Sequence, residues 1–345
     1  MTITRRYFQC PCGLPGSYAV DEVLGLAGRM SRVVQKHGCR LAAEVSFAST
    51  QEHLREMLGV RLGAETIRQM VGRHGRSMMR HQSNDPVSEK TFAQAPGEVE
   101  LAVDAGKVNT REDGWKDLKI AVISKRELGR PCSPDQFDSH RLPAATMVLA
   151  FAMIATSKTF RRSWRPRLKR LGVRAWASVQ ALGDGAAWIW KSVQRCLTGC
   201  QQTLDVYHAC ERLAQCAEAI FGKDTPQKQT AFERGRSLLV ASGWNGVCQW
   251  TWELQQVTEE VEQKRRLQAT RKLLAYFTPH AGRLNYPKHL AEGRPIGSGV
   301  VEGQAKTLGL RLKRRGARWN RSNVRPMASL VCVRHSCQWD SYWNW

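Results

Sequence analysis

Acidic residues are scarce in this chain. Thirty Asp and Glu stand against 53 Lys and Arg, a formal charge of +23 over 345 residues. Such an imbalance informs on partners rather than fold, and it points to a polyanion, nucleic acid first. Long apolar runs are missing too: the most apolar stretch, Ala144 to Thr156, is too short to cross a bilayer. A membrane protein is therefore not expected. The opening Met1-Thr-Ile-Thr-Arg-Arg-Tyr lacks the apolar core of a secretory leader. Eleven cysteines show no disulfide-scaffold spacing, so reduced thiols in a cytoplasmic protein are expected. Apolar residues, in contrast, make up 42% of the chain and include twelve Trp, which excludes a mostly disordered chain. The length allows two or three domains with real cores.

Residues 1–80 read as a small helical region. Cys10-Pro-Cys12-Gly resembles half of a zinc ribbon, but no second pair lies nearby and His37 and Cys39 are poorly spaced. Four ligands are needed, so a structural remnant is expected rather than a zinc site. Thr50 is placed to cap a helix with Leu54, Met57 and Leu58 on one face. Gly59 stops it, and Ile67, Met70 and Val71 mark a second helix. The pair matches a helix-turn-helix with Arg61, Arg68, Arg73 and Arg76 on and beside the second helix, and equally a plain helical hairpin. Residues 81–97, polar and with two prolines, read as a linker.

From Glu98 the period changes to that of strands. Val99, Leu101 and Val103 alternate with Glu100 and Ala102, and Trp115 to Ser124 reads as a hairpin partner. Thr146 to Thr156 fits a strand or a buried helix, Lys158 to Leu171 a basic helix, Ala175 to Leu182 and Thr203 to Tyr207 further strands. After His208 the pattern is helical nearly to Pro279. The expected class is α/β: a sheet domain beginning at 98–208, a helical insertion at 209–290, and a final segment at 291–345.

Three acidic residues stand out by context: Asp104 in Val-Asp-Ala-Gly-Lys, Asp184 in Leu-Gly-Asp-Gly-Ala-Ala-Trp-Ile-Trp and Glu302 in Ile-Gly-Ser-Gly-Val-Val-Glu-Gly. Asp104 and Asp184 follow predicted strands, and Glu302 falls in the first turn of a helix starting near Ser298, where the helix dipole favours its charge. Hard divalent ions take oxygen ligands from separate rigid elements, and two such ions serve phosphodiester cleavage. Taken singly, each residue reads more readily as a turn former or helix-end charge. Downstream, Gly303 to Trp339 contains no acid, while Lys306, Arg311, Lys313, Arg314, Arg315 and Arg318 are basic and Trp319 is interleaved. That run fits phosphate contacts, with Trp319 stacking on an unpaired base.

Five segments in this order carry a family likeness: Asp104-Ala-Gly-Lys with Trp115-Lys-Asp-Leu-Lys, Gly183-Asp-Gly-Ala-Ala-Trp-Ile-Trp, Asp205-Val-Tyr-His-Ala-Cys-Glu-Arg-Leu, Arg294-Pro-Ile-Gly-Ser-Gly-Val-Val-Glu, and Arg311-Leu-Lys-Arg-Arg-Gly-Ala-Arg-Trp. The chain resembles the DDE transposases of bacterial insertion sequences, in particular the Kra-type family, related to the Mutator-like transposases. The resemblance implies an RNase H-like catalytic domain with a large α-helical insertion, preceded by a small helical DNA-binding domain. It implies Asp104, Asp184 and Glu302 as the catalytic triad and as ligands of two Mg²⁺ or Mn²⁺ ions. Asp205 and His208 would be accessory; Arg61, Arg68, Lys306, Arg311, Lys313, Arg314, Arg315, Arg318 and Trp319 would face DNA. The implied activity is metal-dependent cleavage and strand transfer by a homodimer on terminal inverted repeats and target DNA. Alternatives are a non-catalytic DNA-binding derivative and an RNase H-like structure-specific nuclease.

Overall fold

The alternation that begins at Glu98 becomes one long hairpin: β1 (Glu98–Thr110) pairs antiparallel with β2 (Gly114–Arg126) over its whole length. A computed structural model of the chain describes residues 7–9, 11, 26–27, 30–173, 179–256 and 258–344. The Cys10-Pro-Cys12 motif and the start of the strand expected from Ala175 lie outside the described residues. The apolar run near residue 150 resolves as a strand, β3 (Met147–Ile154), antiparallel to β2. On the other side of β1 lie β4 (Val179–Gly183) and then β5 (Gln201–Leu204), both parallel to it. The sheet order is β3-β2-β1-β4-β5.

Both faces of this sheet are covered, so its central strands read as nearly continuous apolar runs. Leu101, Val103, Ala121, Ile123, Phe151 and Ala181 share one core with the helices that follow β3, β4 and β5. Those helices are α5 (Ser157–Arg162), α6 (Trp164–Arg170), α7 (Ala187–Cys196), α8 (Val206–Phe221), α9 (Pro226–Gln255), α10 (Glu260–Phe277) and α11 (Tyr286–Ala291). Helices α8 to α11 occupy the segment that reads as helical after His208. The basic segment from Lys158 is two short helices instead of one, with Trp164, Phe160 and Leu168 in the core.

Ala102, Ile120, Val122, Ala150, Ala152 and Leu182 face the other way. They are covered by α12 (Gly299–Leu312) and α13 (Arg321–Arg334), together with the N-terminal helices α1 (Arg32–Glu44), α2 (Phe47–Leu58) and α3 (Ala64–His81). One core therefore joins the N-terminal helices, the sheet and the C-terminal end, where α14 (Trp339–Trp343) adds three aromatic rings. The separate helical domain expected over 1–80 is not found among the described residues. Helix α3 lies so close to α13 that a side chain at Gly75 would strike the Pro326 carbonyl.

Three local readings change as well. Ser46, not Thr50, caps α2, and Thr50 is a buried interior residue whose hydroxyl donates to the Ser46 carbonyl at 2.8 Å. Of the expected apolar face only Leu54 is buried; Met57 and Leu58 are exposed. The expected linker 81–97 contains helix α4 (Pro86–Gln94), with Phe92 in the sheet core. Its polar, proline-containing start is a cap: Asp85 accepts from the Ser88 N–H and Pro86 occupies the first helical position.

Candidate active site and basic groove

The parallel register brings the acidic residues together. Val103 on β1 pairs with Gly183 on β4, and Gly183 with Leu204 on β5. The next residue on each chain is acidic: Asp104, Asp184 and Asp205. Three carboxylates thus form a row across adjacent backbones, which lie about 4.8 Å apart in a sheet. Asp104 has the parity of Ala102, the face on which α12 packs, and α12 carries Glu302 in its first turn. The fourth carboxylate therefore comes down onto the row from above.

Short bonds fix each group. Asp104 accepts from the Ala105 N–H at 2.6 Å, and Asp184 from the Ala186 N–H at 2.8 Å. The Asp184 carbonyl accepts from the Trp190 indole at 2.8 Å, which uses one aromatic of the Trp-Ile-Trp segment to brace the loop. Asp205 is fully buried and caps α8, accepting from the His208 N–H at 2.9 Å. Its other oxygen accepts from the Ser298 N–H at 2.5 Å and hydroxyl at 2.7 Å. The same hydroxyl lies 3.2 Å from a Glu302 oxygen. Asp205 and Ser298 are thus the joint that ties the start of α12 to the end of β5.

Among the described residues, no Lys or Arg makes an ion pair with any of the four carboxylates. Burial, then the charges of Asp184 and Asp205, hold Asp104 above the usual carboxylate range against the Ala105 N–H. Burial, then Asp205 and Asp104, raise Glu302 likewise. Burial works against a charged His208, but Asp205, Glu211 and Asp184 outweigh it and raise the imidazole. Ligand atoms of Asp205, His208 and Glu302 all lie within 4.8 Å of one another, a group that could hold a metal ion. Asp104 and Asp184 are outside that group. Excess negative charge offered by oxygen donors fits a hard divalent cation such as Mg²⁺ or Mn²⁺.

The basic run lies elsewhere. A groove of about 940 Å³ runs between α3 and the segment after α12. Arg73 and Arg76 of α3, Arg111 of the β1–β2 turn, and Arg314, Arg315 and Arg318 line it. None of these six has a carboxylate partner among the described residues, and no acidic residue lines the groove. Lys313 reaches back toward the carboxylates, its ammonium 3.9 Å from where a Gly106 side chain would begin. Lys306 and Arg61 are exposed. Arg68 lines the groove but is held by both oxygens of Glu65.

Two members of the expected DNA-facing set have internal roles. Arg311 is buried, donates to the Ala42 carbonyl at 2.6 Å, and lies 4.9 Å from the ring centres of both Phe47 and Trp319. Burial lowers its guanidinium to about 10. Trp319 is half-buried, with its indole donating to the Leu312 carbonyl and its backbone bridged to β1 at Asn109 and Arg111. Its ring serves as a platform for Arg311. The sequence signal that grouped these residues, an unbroken run of positive charge, carries no information on which members point inward. Arg111 was missed because it stands alone, and Ser298 because a Gly-Ser-Gly segment reads as a flexible entry.

Among the described residues no helix is long and apolar enough to cross a membrane. No family model and no curated protein matches the chain.

Proposed function

We propose that the chain is a metal-dependent DNA-cleaving and strand-transferring enzyme, a DDE transposase acting on the ends of its own element. The observation that carries this reading is the register row Val103–Gly183–Leu204, which lines up Asp104, Asp184 and Asp205 beneath Glu302. A sheet of order β3-β2-β1-β4-β5, with three strands in antiparallel succession and two parallel to β1, supports the RNase H-like fold implied by the sequence motifs.

On this reading Asp104, Asp184 and Glu302 hold the cations, and Ser298 and Asp205 position Glu302. Two Mg²⁺ or Mn²⁺ ions held by these carboxylates would supply an activated attacking oxygen and charge stabilisation of the leaving one. Water adds to phosphorus as the bond to the 3′ oxygen breaks, leaving a 3′-hydroxyl. That hydroxyl then attacks a target phosphorus, and one phosphodiester bond forms as another breaks. His208, raised by the surrounding carboxylates, has a ring nitrogen within 4.8 Å of oxygens of Asp205 and Glu302. The arginines of the groove would neutralise phosphates of element-end and target DNA, in a homodimer that pairs two ends.

The test is a cleavage and joining assay on the DNA flanking the coding sequence, with and without Mg²⁺. D104N, D184N and E302Q should each abolish cleavage while leaving binding of end DNA intact. Full cleavage by any one of them refutes the triad.

A further inference from the structure

The helical insertion reaches the carboxylates through one aromatic side chain. Tyr276 of α10 sets the tip of its ring against Gly185, the residue after Asp184, and any side chain at 185 would collide with it. His280, in the 3₁₀ turn that follows α10, donates to the Gly185 backbone, and its ring centre lies 5.5 Å from that of Tyr276, tilted by 56°. Arg283 lies over Trp190, whose indole holds the Asp184 carbonyl. The insertion is therefore locked to the loop that carries Asp184.

On this lock sits an arginine. Arg212 of α8 lies 4.7 Å from the centre of the Tyr276 ring and hydrogen-bonds its phenol. It falls one helical turn beyond His208, on the same side of α8. Its side chain is exposed, donates to Gln215 at 3.0 Å, and has no carboxylate partner among the described residues. A guanidinium held against an aromatic face loses little freedom on binding, and it keeps N–H groups for a forked contact to phosphate oxygens. Tyr276 meets Gly185, the residue after Asp184, so the guanidinium on its ring stands near the loop that carries Asp184.

We infer that Arg212, seated on Tyr276, grips the DNA phosphate next to the scissile one and so sets the register of the strand against Asp184. This rests on the function proposed above. A scissile phosphate is served by cations at the carboxylates, whereas its neighbour needs a cation from the protein. The insertion supplies it at a fixed distance from Asp184, because Gly185 and Tyr276 touch.

The experiment uses the full chain and a labelled duplex of the flanking DNA, with the cut mapped for the wild type in Mg²⁺. R212Q should lower kcat/KM by about ten- to a hundredfold, the scale of a lost hydrogen bond to a charged group. R212K should recover only part, since an ammonium cannot fork. A methylphosphonate at the phosphate beside the cut removes the charge that Arg212 would grip. It should slow the wild type by the same factor as R212Q and leave R212Q no slower. Multiplicative losses, or an R212Q enzyme as fast as wild type with matching thermal melts, overturn the clamp. A wild-type chain that binds the duplex but cuts it in neither Mg²⁺ nor Mn²⁺ sinks the catalytic reading, and the clamp with it.

Discussion

The carboxylate row and the arginine groove leave charge unpaired by opposite means. Asp104, Asp184 and Asp205 emerge from strands whose register is fixed by ladder hydrogen bonds, and each is held by a backbone or hydroxyl donor. Arg314, Arg315 and Arg318 stand exposed in the segment after α12, at the ends of long side chains without partners among the described residues. The difference matches what each would be asked to do. Chemistry on a phosphorus atom tolerates little misplacement, whereas neutralising a polyanion needs only charge within reach. Mutations that separate position from charge can break this comparison.

The largest effect is expected at the row. D104N or E302Q keeps the shape of the side chain and removes one anionic oxygen donor, so Mg²⁺-dependent cleavage should fall by at least about 10²–10³-fold, the scale of losing one group that stabilises transition-state charge. Affinity for end DNA, read by fluorescence anisotropy, should change little. A parallel loss of binding would mean that row and groove are not separate functions.

Next come residues whose buried bonds also hold the fold together. D205A leaves the Ser298 and His208 N–H groups buried without an acceptor, and should cost about 3–5 kcal/mol in urea unfolding. R311A removes the plate between Phe47 and Trp319 and should cost about 2–3 kcal/mol. Neither effect belongs to the groove: folded R311A should retain the salt dependence of DNA binding. R314Q with R315Q should do the reverse, leaving stability within about 0.5 kcal/mol and flattening the slope of log K against log salt by about one unit per arginine. An unchanged slope would remove the groove from the DNA path.

How far the sequence alone reached follows the same division. Period-two alternation exposed β1 and β2, and the α/β class followed, but the end expected at Asp104 was wrong: the ladder with β2 carries β1 on through Ala105 and Gly106 to Thr110. The third strand stayed ambiguous because a run buried on both faces, Met147 to Ile154, has no period to read. Asp104, Asp184 and Glu302 stood out by their flanking glycines and strand patterns, which also fit turn formers and a helix-end charge. Their convergence was not legible, since register between β1, β4 and β5 is set by tertiary packing. The N-terminal helices were legible as helices, but not as part of the sheet's second core. A stripe such as Ile67, Met70, Val71 and Met78 says that a helix has a partner and leaves the partner unnamed. Asp85 and Pro86 were misread as a break because a cap and a linker share the same residue types.

The smallest expected effect sharpens the contrast most. Asp104 and Glu302 are raised by burial and by their neighbours' charge, so the folded chain binds their protons more tightly than the unfolded chain does. Their ionised forms therefore oppose folding at neutral pH, fully above the raised values and not at all below the usual carboxylate range. D104N should melt higher than wild type at pH 7.5 without divalent metal, by about 1–2 °C, as about 0.5 kcal/mol would give in a chain of this size. Lowering the pH through the raised value toward 4 should close that gap, because the wild type then regains what the variant already has. Adding Mg²⁺ at pH 7.5 should reverse the order, since an ion bound only by the native row stabilises the wild type and finds one ligand fewer in D104N. A wild type that already melts above D104N without metal would mean that the row is stabilised from within, and that its charge is not held open for a cation.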